Sequence, residues 1–241
     1  MDRSLSQNKT EYLECEKNWV FWSLIMVGGF YGAYTFLLRG GIFCNAQTAN
    51  IVLLAMALGS RNWSHALYLI IPISAYLMGA VLSEFLAKYI KRFRLLRWDT
   101  ILVGFEMIVV IILGLLPESA PDQICQVALN FICSMQYNTF RQAEGIPMAT
   151  TFCTNHVRQL GTNLVIYARH RRPETALRLR MHLSMLGMFI AGGVISTLLC
   201  QYFGLRAIWG AAILLAFVFI RLCRADLFYE RDRLEAKPHG H

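Results

Sequence analysis

Six stretches of this chain stay apolar for about the twenty residues that a helix needs to cross ~30 Å of hydrocarbon. They are residues 19–38, 66–87, 100–116, 124–140, 183–200 and 205–222. In hydrocarbon no water satisfies backbone N–H and C=O groups, so stretches of this kind must be helical. The composition agrees: of 241 residues, 56% are hydrophobic and 16% charged, whereas roughly a quarter of a soluble domain is charged. The expected fold class is all-α, a polytopic membrane protein whose first partner is the lipid bilayer. The net charge of +8 does not point to nucleic acid, because Lys and Arg are confined between apolar runs rather than spread over a polar domain.

The placement of that charge predicts the topology. One short loop carries Lys88, Lys91, Arg92, Arg94 and Arg97, and another carries Arg169, His170, Arg171, Arg172, Arg178 and Arg180. Loops rich in Lys and Arg stay cytoplasmic. Between them lies the acidic segment 117–122, which reads as an outside turn. Two further segments, 41–60 and 145–167, are apolar but carry polar residues near their beginnings. If 145–167 crossed, the second basic loop would fall outside, so this segment is expected to dip in and return.

An internal similarity extends that reading to the first half. Gly41-Ile42 leading to Thr48-Ala49-Asn50 resembles Gly145-Ile146 leading to Thr154-Asn155-His156, and the small-residue patches 79–83 and 192–196 follow. Each half reads as a span, a re-entrant segment and two more spans. Three crossings are odd, so the second copy enters from the opposite face, giving an inverted 3+3 repeat of the kind common among transporters. The expected organisation is a polar N-terminus (1–18), a first membrane repeat (19–116), a second (117–223) and a C-terminal tail (224–241). Both termini are expected to be cytoplasmic in a bacterial inner membrane. The alternative is a chain of seven or eight plain spans.

Non-helical backbone at membrane depth is tolerated where it is buried in protein or lines a polar cavity. Segments 41–60 and 145–167 fit an extended entry followed by a half-helix. Pro147 breaks an incoming helix, and Thr48, Asn50, Thr150, Thr151, Thr154 and Asn155 are natural N-caps. Opposed half-helix N-termini present free N–H donors and partial positive charge, which suits a small anion or polar solute. Thr48, Asn50, Thr154 and Asn155 are the expected solute contacts, with His156 and Arg158 as added positive groups. The competing reading is that these residues cap helix ends or bond between helices.

Two carboxylates lie within apolar stretches, where ionised groups are costly and functional by default. Glu84 has Lys88 four residues on, an i,i+4 pair, whereas Glu106 has no sequence-local partner and is the candidate for coupling. Arg39 and Arg141 end their spans, Arg141 with Glu144 as a neighbour. Seven cysteines without a C-x-x-C pair read as buried apolar residues, so no metal or other cofactor is expected. No nucleophile elbow, zinc-binding helix or phosphate loop is present in the sequence, and the chain is not expected to be an enzyme. The N-terminus lacks signal-peptide order. A protein of six crossings is compatible with a homodimer.

Phe30-Tyr31-Gly32-Ala33-Tyr34-Thr35, Gly40-Gly41-Ile42-Phe43 and Thr48-Ala49-Asn50 resemble elements of the YoaK-like family of uncharacterised bacterial inner-membrane proteins. In the second half, Met135-Gln136-Tyr137-Asn138 with Arg141, and Ala149-Thr150-Thr151-Phe152-Cys153-Thr154, are similar to its Met-Gln-Asn and Ala-Thr-Thr patterns. The resemblance runs from about Trp19 to Leu222 and implies roughly six spans without an established activity. The family's Asp falls at Ala33 or Tyr34 here, and its two Thr-Gly glycines at Ala49 and Asn155. The implied functions are a transporter or channel-like carrier, or a non-transporting membrane subunit or assembly protein.

Overall fold

The computed structural model describes residues 12–89, 92–93, 95–236 and 238–239. Eight α-helices run through them: α1 (Asn18–Leu38), α2 (Gln47–Gly59), α3 (Trp63–Tyr89), α4 (Trp98–Gly114), α5 (Asp122–Thr139), α6 (Thr154–His170), α7 (Pro173–Phe203) and α8 (Trp209–Arg224). A 3-10 turn, Gly204–Ile208, joins α7 to α8. Two antiparallel hairpins of two-residue strands punctuate the helices. The first pairs β1 (Arg92–Phe93) with β2 (Leu96–Arg97) and the second β3 (Gln142–Ala143) with β4 (Ile146–Pro147). By length and composition, three helical stretches can cross a membrane: Asn18–Leu38, Trp63–Ala87 and the run Pro173–Tyr229.

The breaks in the helical pattern have local causes. Gly40 and Gly41 hold φ of 76° and 69°, and Gly145 holds 81°, values that a side chain rarely tolerates. The chain can therefore leave α1 sharply at Gly40-Gly41 and close the β3–β4 turn at Gly145. Pro173 opens α7 at its first turn, where the missing N–H costs nothing.

α1 is the central element. Of its apolar window 67% is buried, against 28% for that of α3, and Phe21, Leu24, Ile25, Phe30, Tyr31 and Tyr34 are enclosed. α1 packs along α7, α3 packs along α5, α2 and α6 lie on α3 and α7 respectively, and α4 packs on α8. Both long pairs rest on glycine. A Cβ at Gly192 of α7 would run into the Met26 carbonyl of α1, and one at Gly79 of α3 into the Phe131 carbonyl of α5. Such contacts bring helix backbones close enough for dispersion to hold them without a large side chain between.

The two ends of the described chain meet. The Glu14 backbone N–H donates to Glu230 Oε1 at 2.7 Å, and that of His239 donates to Glu16 Oε1 at 2.6 Å. Burial disfavours the charge on Glu14, but hydrogen bonds from Lys17, Trp19 and Arg221 outweigh it and hold the carboxyl below its ordinary value. The stability this gives is present at neutral pH and lost as pH falls through the lowered value.

Several expectations change. Residues 173–180 of the second basic segment form the first turns of α7, so the linker between α6 and α7 shrinks to Arg171 and Arg172. Arg97 is buried, and its guanidinium donates to the carbonyls of Arg233 (3.2 Å) and Ala236 (3.0 Å). It ties down the C-terminal tail rather than facing solvent. Lys91, Arg94 and residues 1–11 lie outside the described residues, as do the side chains of Lys88 and Arg92.

The glycine seams give a direct test. Gly192→Ala is expected to destabilise the protein by about 1–3 kcal/mol, the usual cost of overpacking. Gly187→Ala, on the same helix but with nothing within 4 Å of an added Cβ, is expected to leave the melting temperature unchanged or slightly raised. Thermal denaturation of the two purified variants checks the contrast.

Candidate functional site

The site begins where the chain is not helical. The segments ahead of α2 and α6 both reach α1 at glycines one turn apart. The Asn45 side chain donates to the Gly28 carbonyl at 2.8 Å and lies where a Cβ of Gly32 would be, 3.0 Å from its nitrogen. A Cβ at Gly28 would sit 2.8 Å from the Thr150 carbonyl oxygen. The two breaks therefore converge on one face of α1.

α5 supplies the amides that hold them. Gln126 Nε2 donates to the Arg39 carbonyl and the Tyr68 hydroxyl, both at 2.7 Å. Asn130 Oδ1 accepts from Gln47 Nε2 at 2.6 Å. Gln136 Nε2 donates to the carbonyls of Leu24 (3.4 Å) and Thr150 (3.3 Å). Between these, Cys133 Sγ lies 3.8 Å from Cys44 Sγ. Backbone groups freed by the breaks thus find partners inside the protein, which the low-dielectric interior demands.

Neither short helix is capped as its sequence suggests. α2 starts at Gln47 with Ala46 as N-cap and α6 at Thr154 with Cys153, and neither N-cap side chain makes a capping bond. The first N–H groups of both helices keep their donor capacity and partial positive charge.

The expected site residues separate into two groups. Asn50 and His156 are buried, Asn155 is half-buried, and Thr48, Thr154 and Arg158 are exposed. Asn50 is bonded to its own loop: its Oδ1 accepts from the Phe43 N–H at 3.2 Å and its Nδ2 donates to the Phe43 carbonyl at 2.6 Å. His156 Nε2 lies 2.8 Å from the Ala149 carbonyl, and its Nδ1 lies 3.0 Å from His182 Nδ1. A carbonyl accepts and cannot donate. His156 therefore carries its hydrogen on Nε2, and a neutral ring then accepts on Nδ1 from the His182 N–H. Arg158 donates to Asn155 Oδ1 at 2.9 Å.

Arg141 reaches Glu84 of α3, while the side chain of Lys88, the partner expected for Glu84 along its own helix, lies outside the described residues. The Arg141 guanidinium reaches Glu84 Oε2 at 2.5 Å and also donates to the Asn138 carbonyl at 2.7 Å. Glu144 instead accepts from the Asn18 N–H at 3.3 Å. Arg39 is buried and reaches Asp122 at 3.3 Å. Two cavities meet at Arg141 and Asn138. One, of about 540 Å³, is also lined by Glu84, Arg97 and Asp99, and the other, of about 280 Å³, by Met148, Phe152 and Asn155.

Around the breaks and in the helices that hold them, several buried polar atoms lack a bonded partner among the described residues. The hydroxyls of Tyr31, Ser134, Thr150 and Thr151, Gln136 Oε1 and both carboxylate oxygens of Glu106 are buried without a hydrogen bond of good geometry among the described residues. Tyr31 lies beside Glu106, with Cys133 and Cys44 near, and Tyr76 lies beside Thr151. Each buried orphan costs about 1–3 kcal/mol, and such groups call for an explanation. Of this set, sequence reasoning had singled out Glu106 by its isolation and Thr150 and Thr151 as caps. Tyr31, Ser134 and Gln136 were missed, although Gln126, Asn130 and Gln136 in an apolar stretch were a readable signal.

An all-helical protein with helices long and apolar enough to cross a membrane, folded around a polar and incompletely bonded centre, is the class these features define. The chain belongs to the family described as a protein of unknown function (DUF1275), whose family model matches residues 20–221. No curated protein and no solved structure matches the chain.

The bonding pattern separates structural from exposed residues. Asn50→Ala is expected to release segment 42–46 and to lower stability by about 1–3 kcal/mol, whereas Thr48→Ala is expected to stay within about 0.5 kcal/mol of wild type. Thermal melts of both variants in the same detergent provide the measurement.

Proposed function

We propose that this protein is a transporter or channel-like carrier of a small anion or polar solute, bound where the segments ahead of α2 and α6 converge on α1. The observation that carries this reading is that hydroxyls of Tyr31, Ser134, Thr150 and Thr151 and Oε1 of Gln136 are buried without a hydrogen bond of good geometry among the described residues. A solute or water bound there would supply the bonds that the protein leaves open. The uncapped N-termini of α2 and α6 add donors suited to a negative group.

On this reading the solute contacts shift from Thr48 and Thr154, which are exposed, to Thr150, Thr151 and Gln136. The exchange of packing partners between halves, α1 with α7 and α3 with α5, supports an inverted repeat. So does the equivalent use of Gly79 and Gly192 against a facing carbonyl. In the six-crossing arrangement α1, α3, α4, α5, α7 and α8 cross, and α2 and α6 dip. The meeting of residues 12–16 with residues 230–239 supports both termini on one face, cytoplasmic by the positive-inside rule. The matched range 20–221 agrees in extent with the YoaK-like resemblance.

A melting-temperature screen of the purified protein against inorganic and small organic anions and neutral polar solutes tests the reading. At least one solute is expected to raise the melting temperature, and Thr150→Val with Thr151→Val is expected to abolish that rise while the protein still folds. A screen without any shift, or a shift that survives the double variant, overturns the site. Topology has its own measurement: single cysteines in 117–122 and at 171–172 are expected to label from opposite sides of the membrane. Labelling from the same side overturns the six-crossing arrangement.

A further inference from the structure

We propose that Glu106 is a proton-binding residue of the central polar site, held as the neutral acid while the site is closed and ionising when the site opens to water. Its consequence, that solute movement is coupled to a proton, rests on the transport reading above; the protonation state is read from the packing alone.

Glu106 is completely buried in the middle of α4, and neither oxygen makes a hydrogen bond of good geometry among the described residues. An ionised carboxylate in such a place needs a cation or several N–H donors, because burial penalises the unpaired charge heavily. Among the described residues, the elements around it bring neither. From α1 comes the Tyr31 hydroxyl and from α5 the Cys133 thiol. Arg221 and Arg224 end α8, and Arg221 is engaged with Glu14. Arg206 of the 3-10 turn is exposed. Arg97, beside the start of α4, is spent on Asp99 and on the carbonyls of the C-terminal tail. The other buried guanidinium, that of Arg39, reaches Asp122.

A resident metal cation does not resolve the deficit. Hard cations take about six oxygen ligands, and the neighbourhood offers two carboxylate oxygens, one hydroxyl and sulfur. Among the described residues, no group of three His, Cys, Asp or Glu gathers that could hold a metal ion. A proton resolves it with no further ligand: one oxygen becomes an O–H, and the acid is neutral. When water reaches the site, the O–H bond breaks, the proton passes to water and the carboxylate is left hydrated. Tyr31 is placed to donate to that carboxylate, so the group can exist in both forms as the surroundings change.

Infrared spectroscopy of the purified protein at neutral pH tests the proposal. A carbonyl stretching band of a protonated carboxylic acid is expected in the wild type, lost in Glu106→Gln and shifted in frequency in Glu106→Asp, which keeps an acid should the amide variant fold poorly. Loss of an ionised-carboxylate band in Glu106→Gln, with the acid region unchanged, overturns the proposal. Pairing each spectrum with the solute screen separates the two ideas. The acid band without any solute-induced shift upholds the proton site and removes the transport reading. A solute shift without the acid band removes the proton site.

Discussion

Everything near the centre of this protein depends on finding partners for backbone that is not in a helix. The interruptions that begin at Gly40-Gly41 and Gly145 lead into non-helical chain that is buried at Ile42, Cys44 and Asn45 and at 148–151, where N–H and C=O groups need partners other than bulk water. Side-chain amides answer them. Gln126, Asn130 and Gln136 project from α5 to the chain around Arg39, Gln47 and Thr150, while Asn45 reaches back to Gly28 and Asn50 closes on Phe43. α5 is accordingly the least apolar of the long inner helices. Its amides let two broken segments sit against α1, and once they do, the Thr150 and Thr151 hydroxyls are buried without a hydrogen bond of good geometry among the described residues.

Much of this was legible. Gly40-Gly41 and the Gly145-Ile146-Pro147 run mark the breaks because few other residues permit or force such turns, and the structure starts α2 and α6 close behind them. The small-residue patches at 79–83 and 192–196, read as marks of the repeat, are where Gly79 and Gly192 press on facing carbonyls. The angular phase of the short helices was not legible. A threonine near a helix start reads as a cap, but whether it turns inward depends on the angle at which the helix leaves the loop, and Thr48 and Thr154 turn outward.

The partner of Arg141 was misjudged for a related reason. Local spacing offered Arg141 with Glu144, yet the fold joins Arg141 to Glu84 of α3, and Glu144 accepts from the Asn18 N–H instead. Long side chains choose among whatever tertiary packing brings near, and spacing along one helix is a weak competitor worth a few tenths of a kcal/mol. Arg97 was counted as a topological charge for the same reason. In the fold it is a buried fork whose guanidinium holds the C-terminal tail by its carbonyls. Glu106 is the opposite case: it has no sequence-local partner, and among the described residues its oxygens find no hydrogen bond of good geometry in the fold either.

The glycine seams also limit how this molecule can move. Where a facing carbonyl occupies the place of a Cβ, two helices cannot slide or roll past one another without a collision between backbones. α1 with α7, and α3 with α5, therefore behave as two stiff beams. Any rearrangement that opens the centre must displace one beam against the other, along the boundary spanned by the amides of α5 and the sulfur contact of Cys44 and Cys133. That boundary is bridged by hydrogen bonds from the α5 amides to the chain around Arg39, Gln47 and Thr150, bonds that water can replace one at a time.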